Sequence, residues 1–596
     1  MNKSETQPVS GADAYRRLID LGIALSAERD HARLLELILL EAKAFTNADG
    51  GTLYLKSGND EELTFQIVRN DTLNIAMGGT TGKGINFPPV KLFTETGAPN
   101  MNNVASCAAI TGEVIDIADA YTSNEFDFSG TKRFDASTGY RSQSFLTVPL
   151  KNHDGYVIGV MQLINAKDPT TGETTAFDRN ILPLIDALAS QAAVSIDNQM
   201  LLEAQKQLLD AFIELIAGAI DAKSPYTGGH CQRVPELTKM LTRAACDATE
   251  GLYKDFDLTE AEWYELHIAG WLHDCGKVTT PEYVVDKATK LETIYDRIHE
   301  VRMRFEVLKR DAEINYLKAC LAGGDEAQLK AAFDAEIATL NEEFAFIGEC
   351  NVGGEFMAPE KVERLKKIAE RTWTRTLSDR IGISYDEKKR KDRTPEPALP
   401  VVEKLLQDRA DHIIEREGVD IMPPDNKWGF KMKVPEQKFN LGEVYNLSVG
   451  RGTLTEEDRY KINDHIVQTI IMLEALPFPR HLRRVPEYAG GHHEKMDGTG
   501  YPRRLTKDQM SIPARIMAIA DIFEALTAAD RPYKPPKKLS ESIKIMGFMV
   551  KDQHIDPDLF KLFLESGVYR QYAERFLPPE QIDEVDITPY LGQAAA

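Results

Sequence analysis

The chain has no apolar run of the ~18–20 residues that a membrane-spanning helix needs. Its first residues, Met1 to Gln7, are polar and contain no signal-peptide core. The six cysteines (107, 231, 246, 275, 320 and 350) form no CxxC pair and no framework spacing, so reduced thiols are expected rather than a disulfide scaffold. Basic residues are the minority: 71 Lys and Arg against 93 Asp and Glu leave a net charge of −22. That balance argues against a partner such as DNA, RNA or anionic lipid, while leaving room for a local basic pocket that takes a small phosphate ligand. Together these absences make a cytoplasmic placement the expectation. Histidine is scarce at first too, with only His31 and His153 of the twelve in the first 200 residues.

At 596 residues, 42% hydrophobic and 28% charged, the chain has the make-up of a soluble globular protein of two to four domains. Helical spacing over about 16–48 gives way at Ala48-Asp49-Gly50-Gly51 to β-like runs. The runs at 144–150 and 157–165 flank Asn152-His153-Asp154-Gly155, a hairpin signal. This predicts an α+β domain with an antiparallel sheet over about 16–180. One long helical pattern follows at 181–222, expected to serve as connector and dimer seam, so a homodimer is expected. The patterns at about 205–291 and 452–590 are helical. Between them, 292–451 is charged, with heptad-like apolar steps at Ile298, Val301, Phe305 and Leu308 and again at Phe333, Ile337, Leu340 and Phe344. Gly323-Gly324-Asp325 lies between these two stretches, which predicts an antiparallel helical hairpin inserted into its host. Lys388-Lys389-Arg390-Lys391 reads as a solvated basic surface.

The late histidines carry the chemistry. His273-Asp274 ends a helical apolar stretch, where Gly276 would loosen the backbone and let both side chains turn to one centre. His492-His493 follow Gly490-Gly491; two neighbouring imidazoles suit two metals held close together, and a buried neutral pair is the plain alternative. His230, His465 and Asp521 lie in helical patterns, Asp521 within the apolar run Ile516–Phe523. A carboxylate in such a run needs a partner, because an unpaired buried charge costs several kcal/mol, and a metal can supply one. His and Asp ligation without thiolate suits iron, manganese or zinc, with iron or manganese expected.

His273-Asp274…Lys277 with His492-His493-Glu494…Asp497-Gly498-Thr499-Gly500-Tyr501-Pro502 resembles the HD-GYP subclass of the HD phosphohydrolase superfamily. The resemblance extends to Tyr226-Thr227-Gly228-Gly229-His230 and to Ala514-Arg515-Ile516…Asp521…Asp530-Arg531-Pro532-Tyr533-Lys534. It implies an all-helical catalytic domain whose metal centre hydrolyses cyclic di-GMP to pGpG or GMP. Its metal ligands would be His230, His273, Asp274, His465, His492, His493 and Asp521, and its catalytic residues Asp274 and Lys277. Substrate would meet Lys277, Gly500, Tyr501, Pro502, Arg531 and Lys534, and the loop at 500–502 would offer a docking place for a diguanylate-cyclase-type partner. Two divalent ions bridged by Asp274 would acidify a water for in-line attack on phosphorus. Some members carry a Glu four residues before the first His; Tyr226 stands there, so two metals are expected rather than three. Glu524-Ala525-Leu526 reads only as a piece of helix.

Both His299 and His465 follow Lys-Leu-Thr-like segments, but Gly452-Thr453-Leu454-Thr455-Glu456-Glu457 resembles the family's segment better. Aligning Leu291 with Leu454 reduces the His273-to-His465 separation from 192 to 29 residues. This makes 292–451 an insertion and His299 a surface residue. Two other readings stay open: a 3′,3′-cyclic GMP-AMP phosphodiesterase, and an effector that binds a cyclic dinucleotide without cleaving it.

The N-terminal region resembles the GAF domains of cyclic-nucleotide phosphodiesterases through Phe134–Ser142, Val148-Pro149-Leu150 and Gly159–Asn165. Asn165, Lys167, Phe177 and Asp178 approximate that family's Asn-Lys-Phe-Asp-Glu signature, with Arg179 in place of the Glu. The resemblance implies a sensor that takes a cyclic nucleotide near Asp135, Thr138 and Asn165, or else a ligand-free dimerisation module.

Overall fold

The computed structural model describes residues 11–223, 229–354, 356–528 and 536–592, which divide into two compact units at Leu209/Asp210. Tyr226, Arg531 and Lys534 lie outside the described residues.

In the first unit, helices α1 (Gly11–Ala27) and α2 (His31–Thr46) precede β1 (Ala48–Lys56), β2 (Glu62–Asn70), β3 (Ile75–Gly78) and β4 (Val90–Lys91). Then come α3 (Val104–Thr111), β5 (Ile115–Ile117), α4 (Ser129–Thr138), β6 (Phe145–Lys151), β7 (Val157–Lys167) and β8 (Thr174–Thr175). The strands make one antiparallel sheet in the order β3-β2-β1-β7-β6-β5, with β4 beside β2 and β8 beside β7. Chain neighbours β6 and β7 meet through the hairpin that the Asn-His-Asp-Gly tetrapeptide signalled. One face of the sheet is buried by α2 (Leu34, Leu35, Ile38, Leu39) and by the start of α5 (Leu182–Lys223), through Ile185, Leu188 and Ala192. Each such fully buried Leu or Ile contributes about 1.5–3 kcal/mol from area removed from water. The other face carries Ala105, Ala108 and Ala109 of α3 against Tyr54, Leu63 and Val160.

The residues expected to hold a GAF ligand are hydrogen-bonded within the domain. Asp135 accepts from Tyr121 Oη at 2.8 Å, from Ser142 N at 2.7 Å and from Ser142 Oγ at 2.8 Å. Asn165 Oδ1 accepts from Gln143 N at 2.7 Å and its Nδ2 donates to Arg141 O at 2.8 Å, while the Thr138 hydroxyl donates to Phe134 O. Phe177 is core, and Asp178 caps a short turn. Asp135 and Asn165 are buried, and these bonds supply the partners that buried polar groups need.

The second unit is mostly helical. Helices α6 (His230–Cys246), α7 (Glu260–Leu272) and α8 (Glu282–Val285) lead into α9 (Ile298–Leu321) and α10 (Glu326–Val352). The last two form the expected hairpin: Phe305 packs on Phe344 and Tyr316 stacks on Phe333, so steps forward on one helix match steps back on the other. Asp325 caps the second helix by accepting from Gln328 N.

Beyond Val352 the expected helical insertion departs from helix. After α11 (Pro359–Ala369) come β9 (Thr372–Arg375), α12 (Tyr385–Lys391), β10 (Val401–Lys404), β11 (Ile413–Glu415) and β12 (Gln437–Asn440), paired as two small antiparallel ribbons. Prolines 395, 397, 400, 423, 424 and 435 break up helix there. Lys391 is not solvated as expected; it is buried and paired with Asp379 and Asp411, each at 3.1 Å.

Where the chain leaves for this region and where it returns lie side by side. Buried Lys290 donates to Leu447 O and Val449 O, Lys287 pairs with Asp458, and Thr453 Oγ1 donates to Lys287 O. The chain then runs through α13 (Glu443–Leu447), α14 (Glu456–Glu474), α15 (Val485–Gly490) and α16 (Ile512–Thr527), and through α17 (Leu539–Lys551), α18 (Pro557–Glu565) and α19 (Val568–Phe576). Phe523, Phe563 and Tyr572 meet edge to face at the centre of one core.

Candidate metal centre

Seven side chains distant in sequence converge inside the second unit. A Thr259–Glu262 capping box starts α7, which ends at Leu272. His273 caps the helix with helical backbone angles and Asp274 (φ −110°, ψ 13°) has left it, so the two adjacent side chains can face one point. A second capping box, Thr455 with Asp458, starts α14 and sets His465 on its buried face. His492 and His493 follow α15, His230 opens α6, and Asp521 lies in the middle of α16.

The donor atoms fall into two groups, each with all members within 4.8 Å of one another: His230, His273, Asp274 and Asp521; and Asp274, His465, His492 and His493. Asp274 belongs to both. Its Oδ2 lies 3.2 Å from His230 Nε2 and 3.2 Å from His273 Nε2, and its Oδ1 lies 3.2 Å from His465 Nε2. His230 Nε2 is also 3.3 Å from Asp521 Oδ1.

The far side of each ring fixes its tautomer. Nδ1 of His273, His465 and His492 donates to the carbonyl three residues back: Gly270, Ile462 and Ala489. That leaves each Nε2 as a lone pair aimed at the centre, the arrangement of metal-ligating imidazoles. His273 Nε2, His492 Nε2 and Asp274 Oδ1 are buried without a hydrogen-bond partner, and His465 Nε2 sits 3.1 Å from His493 Nε2. Buried lone pairs turned on one another need a cation between them, so these residues fit a pair of divalent ions.

The electrostatics agree for the two carboxylates and for His492 and His493, whereas at His230 burial and Lys277 are outweighed by its contacts with Asp274, Asp521 and Glu524, which push that imidazole well above its ordinary range. Burial opposes ionisation of Asp274, but Lys277, His273 and His230 outweigh it and hold the carboxyl well below the usual carboxylate range. Asp521 is lowered likewise, its burial overcome by His230. Burial pushes His492 down to about 4 and His493 well down. Neutral imidazoles and ionised carboxylates are the forms that ligate without releasing protons. Lys277, only partly buried, contacts Asp274 Oδ2; desolvation acts against its charge, and Asp274 with Asp521 outweighs it and raises the pKa above the ordinary lysine value.

His299 lies elsewhere, exposed near the start of α9 with its ring 2.5 Å from Arg302. Gly276 does not loosen the backbone. It sits in a tight turn, where a Cβ would stand 1.9 Å from His465 O and 2.5 Å from Thr469 N. Its role is close approach, which seats the Asp274 turn directly on α14. Gly500 is similar, with Glu494 and Lys495 backbone atoms 2.3–2.6 Å from any Cβ. Tyr501 stacks on His493 at 4.9 Å between ring centroids and 17° between planes, and Pro502 is buried beside it.

Glu524, read above as a mere piece of helix, is the residue missed. It is 1% exposed, its Oε2 lies 2.5 Å from His230 Nδ1, and its Oε1 accepts from Arg233 Nε at 2.8 Å. It orients His230 through a carboxylate, where carbonyls hold Nδ1 of His273, His465 and His492. A signal was present: Glu524 follows Asp521 by three on a helix whose face is otherwise apolar. Glu524→Gln is expected to lower metal affinity or activity about 10–100-fold, the usual cost of losing an outer-shell partner. Titration of metal-free protein with Mn(II) reads this directly, and an unchanged affinity would contradict the orienting role.

The GAF domain family model matches residues 30–196 and the HD domain family model matches residues 400–559. The HD match contains His465, His492, His493 and Asp521; His230, His273 and Asp274 precede it and join them in space. The chain is 44% identical over 90 residues to a 3′3′-cGAMP-specific phosphodiesterase of Vibrio cholerae, covering 15% of this chain and 20% of that protein. It is 42% identical over 79 residues to a cyclic di-GMP phosphodiesterase of Pseudomonas aeruginosa, covering 13% and 18%. It is 33% identical over 125 residues to a cyclic di-GMP phosphodiesterase of Thermotoga maritima, covering 20% and 33%. The match thus spans between about a fifth and a third of the length of these relatives. With both family models matched, the chain carries an N-terminal GAF domain and a C-terminal HD domain.

Proposed function

We infer that the chain is a metal-dependent phosphodiesterase of cyclic dinucleotides, with cyclic di-GMP as its principal substrate and pGpG or GMP as product. The observation that carries this reading is the sharing of Asp274 between two His-rich donor groups. The names of the relatives supply the substrate class, and they also favour 3′,3′-cyclic GMP-AMP as the second reading.

His230, His273, Asp274 and Asp521 would hold one ion, and Asp274, His465, His492 and His493 the other, with iron or manganese suited to this thiolate-free set. Bound ions supply Lewis acidity toward a phosphoryl oxygen and make a water a stronger nucleophile near neutral pH. Asp274 spans the two groups and keeps them in register. Lys277, cationic and beside Asp274, offsets negative charge that grows on the phosphoryl oxygens. Tyr501 fixes His493 by stacking and forms part of the substrate's surroundings.

Residues 292–451 are an insertion in this catalytic domain, supported by the adjoining points where the chain leaves and returns. The GAF domain gates activity through α5, and a second copy of the chain covers that helix; Leu201, Leu202, Leu208, Phe212 and Leu215 are 53–65% exposed along it. Steady-state turnover of cyclic di-GMP and of 3′,3′-cyclic GMP-AMP on one Fe(II)- or Mn(II)-loaded preparation tests the reading. Faster cleavage of cyclic di-GMP is expected. Faster cleavage of the mixed dinucleotide would move the assignment to the second reading, and binding without cleavage of either would make the protein an effector.

A further inference from the structure

A cavity of about 320 Å³ lies beside the metal centre, walled partly by the insertion. Its lining includes Lys433 from the insertion, Glu456, Arg459 and Asn463 from α14, and Tyr501 and Arg504 from the loop after His493. Two links tie it to the centre. Tyr501 presents its ring to His493, and Asn463 precedes His465 by two residues on the same helix.

The insertion is fastened here. Lys431 N donates to Pro502 O at 2.7 Å, and Arg503 Nε donates to Trp428 O at 2.9 Å. Phe430 packs with Ile466, Val467 and Ile470 of α14. The wall that Lys433 belongs to is therefore held against the loop and against the helix that carries His465.

Charge is the unusual feature. In a chain of net charge −22, three cations converge on this cavity against one acid, Glu456. Among the described residues, no ion pair is found for Lys433, Arg459 or Arg504, although Arg459 donates to the carbonyls of Leu454 and Arg451. Arg504 also holds a left-handed backbone (φ +59°), a conformation that favours glycine. The size is at the small end of ligand sites, which suits one nucleotide rather than a whole dinucleotide.

A cyclic dinucleotide has two phosphodiesters, and only one can be at the metal centre at a time. Resting on the phosphodiesterase reading above, we propose that Lys433, Arg459 and Arg504 bind the nucleotide half that is not being cut, so that the insertion is a substrate-selecting wall. The unreacted phosphate meets the cations, and its base lies along the side of the cavity bounded by Tyr501.

The test uses the full-length, metal-loaded protein with Lys433→Ala and Arg504→Gly. Glycine at 504 relieves the backbone conformation, so that variant is expected to melt no lower than wild type, which separates a binding role from a structural one. Each variant is expected to raise KM for cyclic di-GMP at least tenfold with kcat changed less than threefold. Its loss of kcat/KM toward bis(p-nitrophenyl) phosphate, which has no second nucleotide, is expected to be at least tenfold smaller. KM within twofold of wild type in both variants would overturn the proposal, as would equal losses on the two substrates. If wild type cleaves the small diester but no cyclic dinucleotide, the phosphodiesterase reading fails instead. Equilibrium binding of cyclic di-GMP then decides the pocket: a tenfold weakening in both variants keeps it, and unchanged binding overturns it.

Discussion

Asp274→Asn is expected to leave the protein folded but nearly inert, with metal content falling from two ions per chain to fewer than one. Asp274 is the single residue in both donor groups, with one oxygen toward His465 and the other toward His230 and His273. An amide of the same shape removes the negative charge and turns one of these lone pairs into an N–H. The change therefore acts on both ions at once. The loss should exceed the 10–100-fold cost of disturbing an outer-shell partner and reach about 10³-fold or more in kcat. Elemental analysis with steady-state kinetics on the same sample reads it. A variant that keeps two ions and a tenth of wild-type turnover would contradict the shared role of Asp274.

Gly276→Ala should be nearly as severe for a different reason. The new methyl would meet the His465 carbonyl oxygen and the Thr469 amide, both main-chain atoms of α14. Neither can swing aside as a side-chain tip could. The turn and the helix must separate, which also breaks the hydrogen bond from Gly276 N to Thr469 Oγ1 at 2.9 Å. Overpacking of a tight core costs up to about 3 kcal/mol, and a backbone clash belongs at that end. A fall of several degrees in melting temperature is expected, together with weaker metal binding, because His465 moves away from Asp274. Normal melting and full metal content would show that the turn can yield and that close approach is not what this glycine supplies.

Much of the candidate site was legible because its chemistry is concentrated in few residue types. His273-Asp274 at the end of an apolar helix, paired histidines after two glycines and a carboxylate in an apolar run each announce buried polar groups that need a partner. What spacing could not do was distinguish the local roles around them. Glu524 looked like any helical Glu because its partner, His230, is 294 residues away. Gly276 looked like a hinge because a sequence does not show the helix that passes 1.9 Å from its missing Cβ.

The fold was legible to different depths for the same physical reason. The α9–α10 hairpin repeats its apolar residues over many turns, so its period is visible. The ribbons β9–β10 and β11–β12 contribute three or four residues per strand, too few for an alternating pattern to stand out among the prolines and charges. In the GAF unit Asp135 and Asn165 tie down the segment before β6 while Thr138 bonds within α4, and motif identity alone does not distinguish a ligand's contact from a bond of this kind.

The most direct measurement is the metal content of three proteins purified under identical anaerobic conditions: wild type, His465→Ala and His299→Ala. The account predicts two ions per chain in wild type, two in His299→Ala and about one in His465→Ala, where the group of His230, His273, Asp274 and Asp521 remains whole. Two ions retained in His465→Ala, or loss of metal in His299→Ala alone, would contradict a binuclear centre built on Asp274.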